Sequence, residues 1–179
     1  MMFKIFLNLL WSFTLLTILT VHVNAQDDKY FSKLYIGGET GYIDIGPNSG
    51  FALGGFIGGR YQTDSNLVLG VELDINGTVG EDNNIGLASF LGTIGIVTGV
   101  EKRNLCYVGG GYEEAFGLDS SVQFFGGDDG YSIVGGYERA LNDHIALRLQ
   151  AKYISFGDNN QNENSNDGVS VLAGVSFNF

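Results

Sequence analysis

From Leu34 onward the chain alternates apolar residues with small or polar ones at a period of two, the pattern of half-buried strands rather than helices. Eight such segments can be read. The first, KLYIGGETGYI, sets Leu34, Ile36, Thr40 and Tyr42 against Tyr35, Gly37, Glu39 and Gly41, and the second, FALGGFIGGRY, sets Phe51, Leu53, Ile57 and Tyr61 against Ala52, Phe56, Gly58 and Arg60. In the third, LVLGVELDIN, Leu67, Leu69, Val71, Leu73 and Ile75 alternate with Val68, Gly70, Glu72, Asp74 and Asn76. The fourth runs from Ile85 to Glu101, with Phe90, Ile94, Ile96 and Val100 on one face and Thr93, Gly95, Gly99 and Glu101 on the other. The fifth, CYVGGGYEE, opposes Val108 and Tyr112 to Glu113; the sixth, GYSIVGGYER, opposes Tyr131, Ile133 and Tyr137 to Ser132, Val134 and Glu138. The seventh, IALRLQAKYISF, opposes Leu147, Leu149 and Tyr153 to Arg148, Gln150 and Lys152, and the eighth, VSVLAGVSFNF, ends on Phe179.

The breaks alternate in length. Short ones at 63–66, 102–104 and 141–144 have the polar composition of tight hairpin turns, and longer ones fall at 44–50, 77–84, 115–130 and 157–168. An up-and-down antiparallel arrangement follows, with turns at one end and loops at the other. Two barrels fit it: a soluble one with its oil inside, or a membrane one with its oil outside and its charges in the lumen.

Composition separates the two. The charged face carries only Glu39, Arg60, Glu72, Asp74, Glu101, Glu113, Glu138, Arg148 and Lys152 over eight strands, interspersed with Gly, Ser and Thr. That is sparse for a solvated surface and suits the narrow interior of an eight-stranded barrel. The other face is nearly continuous Leu, Ile, Val, Phe and Tyr, more contiguous apolar area than a soluble protein exposes. The expectation is therefore an all-β, eight-stranded transmembrane barrel, with strands of about 9 to 11 residues sufficient to cross the bilayer at a tilt. Tyr61, Tyr137, Phe177 and Phe179 at the turn end and Tyr42, Phe51, Tyr112, Tyr131 and Tyr153 at the loop end fit interfacial belts.

The opening MMFKIFLNLLWSFTLLTILTVHVNA has the layout of a secretory signal peptide, with Lys4 before an apolar run and Ala25 at its close. Cleavage there would leave residues 26–179 as one domain and remove Trp11 and His22. The run is close to the roughly 17 residues of a spanning helix, so an uncleaved anchor is the alternative. The chain holds 9 Lys and Arg against 20 Asp and Glu, which argues against a nucleic-acid partner, since phosphate neutralisation needs a basic surface. Cys106 is the only cysteine, so neither an intrachain disulfide nor a thiolate zinc cluster is available.

In LYIGGETGY, in GYERALNDHIALRLQAKYISFGD and in the terminal GVSFNF the chain resembles the small eight-stranded outer-membrane β-barrels of Gram-negative bacteria, of the outer membrane protein A-like and opacity-protein type. The resemblance covers the whole chain after the leader. It implies periplasmic turns, extracellular loops and a final Phe179 serving as an assembly signal for the outer-membrane assembly machinery. It also implies outer-membrane lipid and lipopolysaccharide as surroundings, and an extracellular ligand at the loops. Charge is two-sided: Lys102, Arg103 and Arg139 gather at the turns, while Asp44, Glu81, Asp82, Asp119, Asp128, Asp129, Asp158, Glu163 and Asp167 occupy the loops without Lys or Arg.

Chemistry is thinly represented. After the leader the one histidine is His144, beside a turn and with no evident catalytic partner. Glu72 and Asp74 could form an acid pair, but lumen charges in a narrow barrel more often neutralise one another, here against Arg60, Arg148 and Lys152. Six acids face three bases on that face, so some acid must be protonated, hydrated or near a mouth. Asp158, Asn160 and Asn162 have the alternate spacing of a calcium loop, but Glu163 stands where its turn needs Gly. GGGYEEAFG lacks the Lys-Ser/Thr of a phosphate loop, and Cys106 reads as an apolar filler on the lipid face. No cofactor or metal is implied. The classes left are a structural surface protein with interacting loops, a minor porin or channel for small solutes, and, least supported, a lumen enzyme.

Overall fold

Each alternating segment forms a strand, because only an extended chain turns a period of two into two chemically distinct faces. The computed structural model describes residues 29–45, 48–79, 85–117, 128–156 and 167–179. The expected leader, Pro47, the loop acids Glu81, Asp82, Asp119, Asp158 and Glu163, and the calcium-like spacing of Asp158, Asn160 and Asn162 lie outside the described residues.

The strands are β1 (Leu34–Ile45), β2 (Asn48–Gln62), β3 (Leu67–Val79), β4 (Ile85–Thr98), β5 (Asn104–Gly117), β6 (Asp128–Ala140), β7 (Ile145–Phe156) and β8 (Gly168–Asn178). Sequential strands pair antiparallel, and β1 pairs with β8 from Tyr35 opposite Asn178 to Ile45 opposite Gly168, so the sheet closes into a barrel. At 11 to 15 residues the strands exceed the minimum for crossing a bilayer, so their ends project beyond the hydrocarbon.

The faces divide as the alternation predicts. Leu149 and Val171 are 54% and 53% exposed, whereas Arg148, Gln150 and Lys152 are 3%, 1% and 2% exposed. All nine belt aromatics named above are exposed on the outer surface.

Three turns close the hairpins at one end; at the other end the break expected at 44–50 is mostly strand, because β1 and β2 stay paired up to Ile45 opposite Asn48. In the β2–β3 turn the Thr63 amide donates to the Leu67 carbonyl at 2.8 Å, with Asn66 at a φ of 64°. In the β6–β7 turn the amides of His144 and Ile145 both donate to Asn142 Oδ1 at 2.8 Å. The β4–β5 turn corrects the sequence reading. Strand β4 stops at Thr98, because Gly99 adopts a φ of 85° that breaks the extended run. Val100 and Glu101 therefore lie exposed in the turn, and Glu101 is not a lumen residue.

A second feature at this end escaped the alternation. Phe31 is buried, packed with Val68, Val97, Leu105, Tyr107 and Ala140, and its amide donates to Gln62 Oε1 at 3.4 Å. Lys29 pairs with Asp64 at 2.6 Å, Lys33 donates to the Asp143 carbonyl at 2.6 Å, and the Arg103 guanidinium lies 5.2 Å from the Tyr30 ring. Residues 29–33 thus strap the turn-end mouth and tie it to three turns. The Lys29 ammonium holds the Asp64 carboxyl below the usual carboxylate range.

Among the rings in the lumen, four stand opposite a glycine on the neighbouring strand: Tyr35 opposite Gly58, Phe56 opposite Gly37, Tyr107 opposite Gly136 and Phe156 opposite Gly130. A Cβ at Gly136 would lie 2.3 Å from the Tyr107 ring, and one at Gly58 would lie 2.3 Å from the Tyr35 hydroxyl. The ring occupies the space a side chain would take. Gly136→Val should therefore destabilise the barrel by about 1 to 3 kcal/mol through overpacking, measured by urea unfolding in lipid vesicles. The outward-facing Gly135→Val, where a Cβ meets nothing within 4 Å, should cost much less.

Candidate functional site

The residues most able to do chemistry lie in the lumen, where the inward positions of all eight strands converge. Their arrangement falls into two tiers.

The tier nearer the turns is a square of two arginines and two glutamates. Arg60 on β2 donates Nη1 and Nη2 to Glu138 on β6, both at 2.6 Å. Arg148 on β7 donates to Glu72 on β3 at 2.8 and 2.6 Å. Cross pairs complete it, Arg60 to Glu72 at 3.8 Å and Arg148 to Glu138 at 3.9 Å. Such two-pronged guanidinium–carboxylate contacts combine charge with matched planar geometry. Aromatic faces back the cations: the Arg60 Cζ lies 4.1 Å from the Tyr35 ring and that of Arg148 4.2 Å from Phe56, with Tyr107 at 5.7 Å from both. The Tyr35 hydroxyl donates to Glu72 Oε2 at 2.6 Å, and that of Tyr107 to Gln150 Oε1 at 2.9 Å. Arg148 also donates to Gln150.

The tier nearer the loops centres on one cation. Lys152 Nζ donates to Ser89 Oγ at 2.7 Å and to Asp74 Oδ2 at 3.1 Å, and lies 3.5 Å from Glu113 Oε1. The Ser89 hydroxyl passes a bond on to Glu113 Oε1 at 2.9 Å. Asn76 Nδ2 donates to Asp74 Oδ1 and, at 3.0 Å, to Glu39 Oε1. Glu39 has no ion pair, and its Oε2 has no hydrogen-bond partner among the described residues.

Apolar layers cap both tiers. Toward the turns lie Phe31, Val68, Val97, Leu105 and Ala140; toward the loops lie Ile43, Ile45, Ala52, Leu87, Ile154, Phe156 and Leu172. Desolvating this many charges is costly, and mutual pairing compensates only where each carboxylate finds a cation.

Of the nine charges read onto the inner face, Glu39, Arg60, Glu72, Asp74, Glu113, Glu138, Arg148 and Lys152 are buried in the lumen. Glu101 is instead paired with Arg103 at 3.5 Å in the β4–β5 turn. Glu72 and Asp74 do not form an acid pair, since each is drawn to a different cation. Tyr35, Asn76, Ser89 and Tyr107 complete the network; they share inward parity with the charges, the signal by which they could have been assigned. His144 Nδ1 lies 3.1 Å from the Asn178 carbonyl at the turn end, far along the barrel from the loop mouth. Cys106 is exposed on the outer face. Among the described residues no group of three His, Cys, Asp or Glu is placed to hold a metal ion. Phe179 is exposed, its amide donating to the Leu34 carbonyl at 2.9 Å.

The network predicts unequal costs for two similar substitutions. Glu72→Gln leaves Arg148 without its two-pronged partner and should cost about 3 kcal/mol or more. Glu39→Gln removes a buried carboxylate that has no cation, and should leave stability unchanged or raise it. Urea unfolding in vesicles, followed by the gel migration of unboiled samples, measures both.

A model of the outer membrane protein beta-barrel domain matches residues 13–179. No curated protein sequence matches. Among solved structures, Neisserial surface protein A aligns with a TM-score of 0.59 at 17% identity, covering 82% of this chain and 96% of that one. The N-terminal β-barrel domain of Pseudomonas aeruginosa OprF aligns with a TM-score of 0.54 at 17% identity, covering 81% and 97%. Yersinia pestis Ail in complex with the heparin analogue sucrose octasulfate aligns with a TM-score of 0.50 at 12% identity, covering 82% and 97%. At these identities the structures speak for the fold, and the domain match speaks for the family: the chain belongs to the outer membrane β-barrel proteins and resides in the outer membrane.

Proposed function

We propose that the protein is a non-catalytic structural surface protein, matured by removal of residues 1–25, that stabilises the envelope and presents an acidic face outward for interaction. Its turn end faces the periplasm and its loop end the exterior, and the exposed Phe179 serves as the assembly signal. The carrying observation is the filled lumen, in which two tiers of paired side chains lie between two apolar layers. Among the described residues the lumen carboxylates are held by cations or amides, and the histidine sits at the turns.

The same observation weighs against a channel for small solutes, because an aqueous path would have to break the arginine–glutamate square and displace Phe31. Planar-bilayer recording tests this reading. Silence, or only irregular noise, is expected; stable ohmic steps would establish the channel instead.

At the loop end the outward charges among the described residues are all acidic: Asp44, Glu114 and Asp129 on the strands, joined by Asp167 just ahead of β8. Tyr112 donates to Asp129, and Tyr153 and Ser155 donate to Asp167 at 2.8 and 2.6 Å, which fixes these carboxylates at the rim. A polyanion such as the one bound to Ail would meet repulsion here, so the partner this face suits is cationic, or is anionic lipopolysaccharide bridged by divalent ions.

A further inference from the structure

The outward charges on the strands sort by sign. Every described acid among them lies at the loop end, and Arg139 of β6 stands alone at the turn end. It is exposed on the lipid side, between Tyr137 and the β6–β7 turn, with Asn104 across from it on β5 and Leu147 across from it on β7. No ion pair or hydrogen bond engages its guanidinium among the described residues, whereas the Tyr137 hydroxyl beside it is bound to Asn104 Oδ1 at 2.7 Å.

A second cation stands near. The Ala140 amide donates to the Arg103 carbonyl at 2.8 Å, which holds the β4–β5 turn against the end of β6. In that turn Lys102 is exposed at a φ of 52°, its amide tied to the Gly99 carbonyl at 3.1 Å and its ammonium unpaired among the described residues. Arg103 is already engaged, by Glu101, by Tyr30 and by the Leu141 carbonyl at 3.2 Å. Glu101 and Asp143 are the acids of the adjoining turns, and neither pairs with Lys102 or Arg139.

We infer that Arg139 and Lys102 bind the phosphate of an anionic phospholipid, such as phosphatidylglycerol, in the leaflet that surrounds the turn end. A guanidinium offers a planar fork matched to phosphate oxygens, and an ammonium adds a mobile point charge. Tyr137 and Leu147 give the glycerol and acyl region an amphipathic wall at the depth where aromatic residues settle. The placement of that leaflet on the periplasmic side rests on the orientation proposed above; the binding chemistry does not.

The test uses the folded full-length barrel in nanodiscs of identical leaflets, made from phosphatidylethanolamine with phosphatidylglycerol. Lipid retained on release into detergent is counted by native mass spectrometry. Wild type should keep phosphatidylglycerol preferentially, and Lys102→Gln and Arg139→Gln should each weaken the preference by roughly fivefold. Both variants must still migrate as folded barrels on unboiled gels, and Lys29→Gln, whose ammonium is bound to Asp64, should leave the preference unchanged. Retention without preference in wild type, or a preference that survives the double substitution, overturns the site. Glycerophosphoglycerol displacing the lipid at equal concentration would also overturn it, by showing a site for soluble phosphodiesters. Because the leaflets are identical, a wrong orientation leaves these results intact. It would show separately, as labelling of Lys102→Cys on intact cells by an impermeant thiol reagent.

Discussion

The constraint on which the molecule depends is that hydrocarbon offers no partner to a backbone N–H or C=O, so a sheet that enters it must have no edge. The pairing of β1 with β8 meets that requirement, and the other features follow from it. A closed ring of eight strands leaves an interior just wide enough for side chains, and since each strand's faces alternate, whatever is oily must look out and whatever is charged must look in.

Confinement then determines how the charges behave. Five acids and three bases share the lumen, and each base serves more than one acid: Arg60 and Arg148 both approach Glu72 and Glu138, while Lys152 reaches Asp74 and Glu113. Glu39 is the remainder, with no ion pair and a hydrogen bond from Asn76 among the described residues. A network whose members are mostly paired rigidifies the interior, and the carboxylate without a cation marks where it is weakest.

The strands and their faces were legible because period two survives in a sheet with one apolar side; the alternation of connection lengths was legible only in part, since β1 runs to Ile45 and β2 starts at Asn48, where a long break at 44–50 was expected. The partners were not. Arg60 and Glu138 are 78 residues apart, and parity shows only that both point inward; which of them meet depends on height in the barrel, set by the pairing of every strand between. The end of β4 was misread because Val100 and Glu101 continue the alternation, and only the backbone at Gly99 stops it. Phe31 lies ahead of the first strand, where no periodicity marks a buried residue, and its seat is assembled from four strands distant in sequence.

The rings set opposite glycines settle an ambiguity that polarity leaves open. Sliding one strand past its neighbour by two residues keeps oil outside and charge inside, so the hydrophobic pattern is blind to that error. Bulk is not blind to it. Moved two places, Tyr107 would meet Val134 or Glu138 in place of Gly136, and Tyr35 would meet Phe56 or Arg60 in place of Gly58. Each aromatic with its bare partner thus works as an alignment notch, favouring the observed threading of the hairpins over one displaced by two residues.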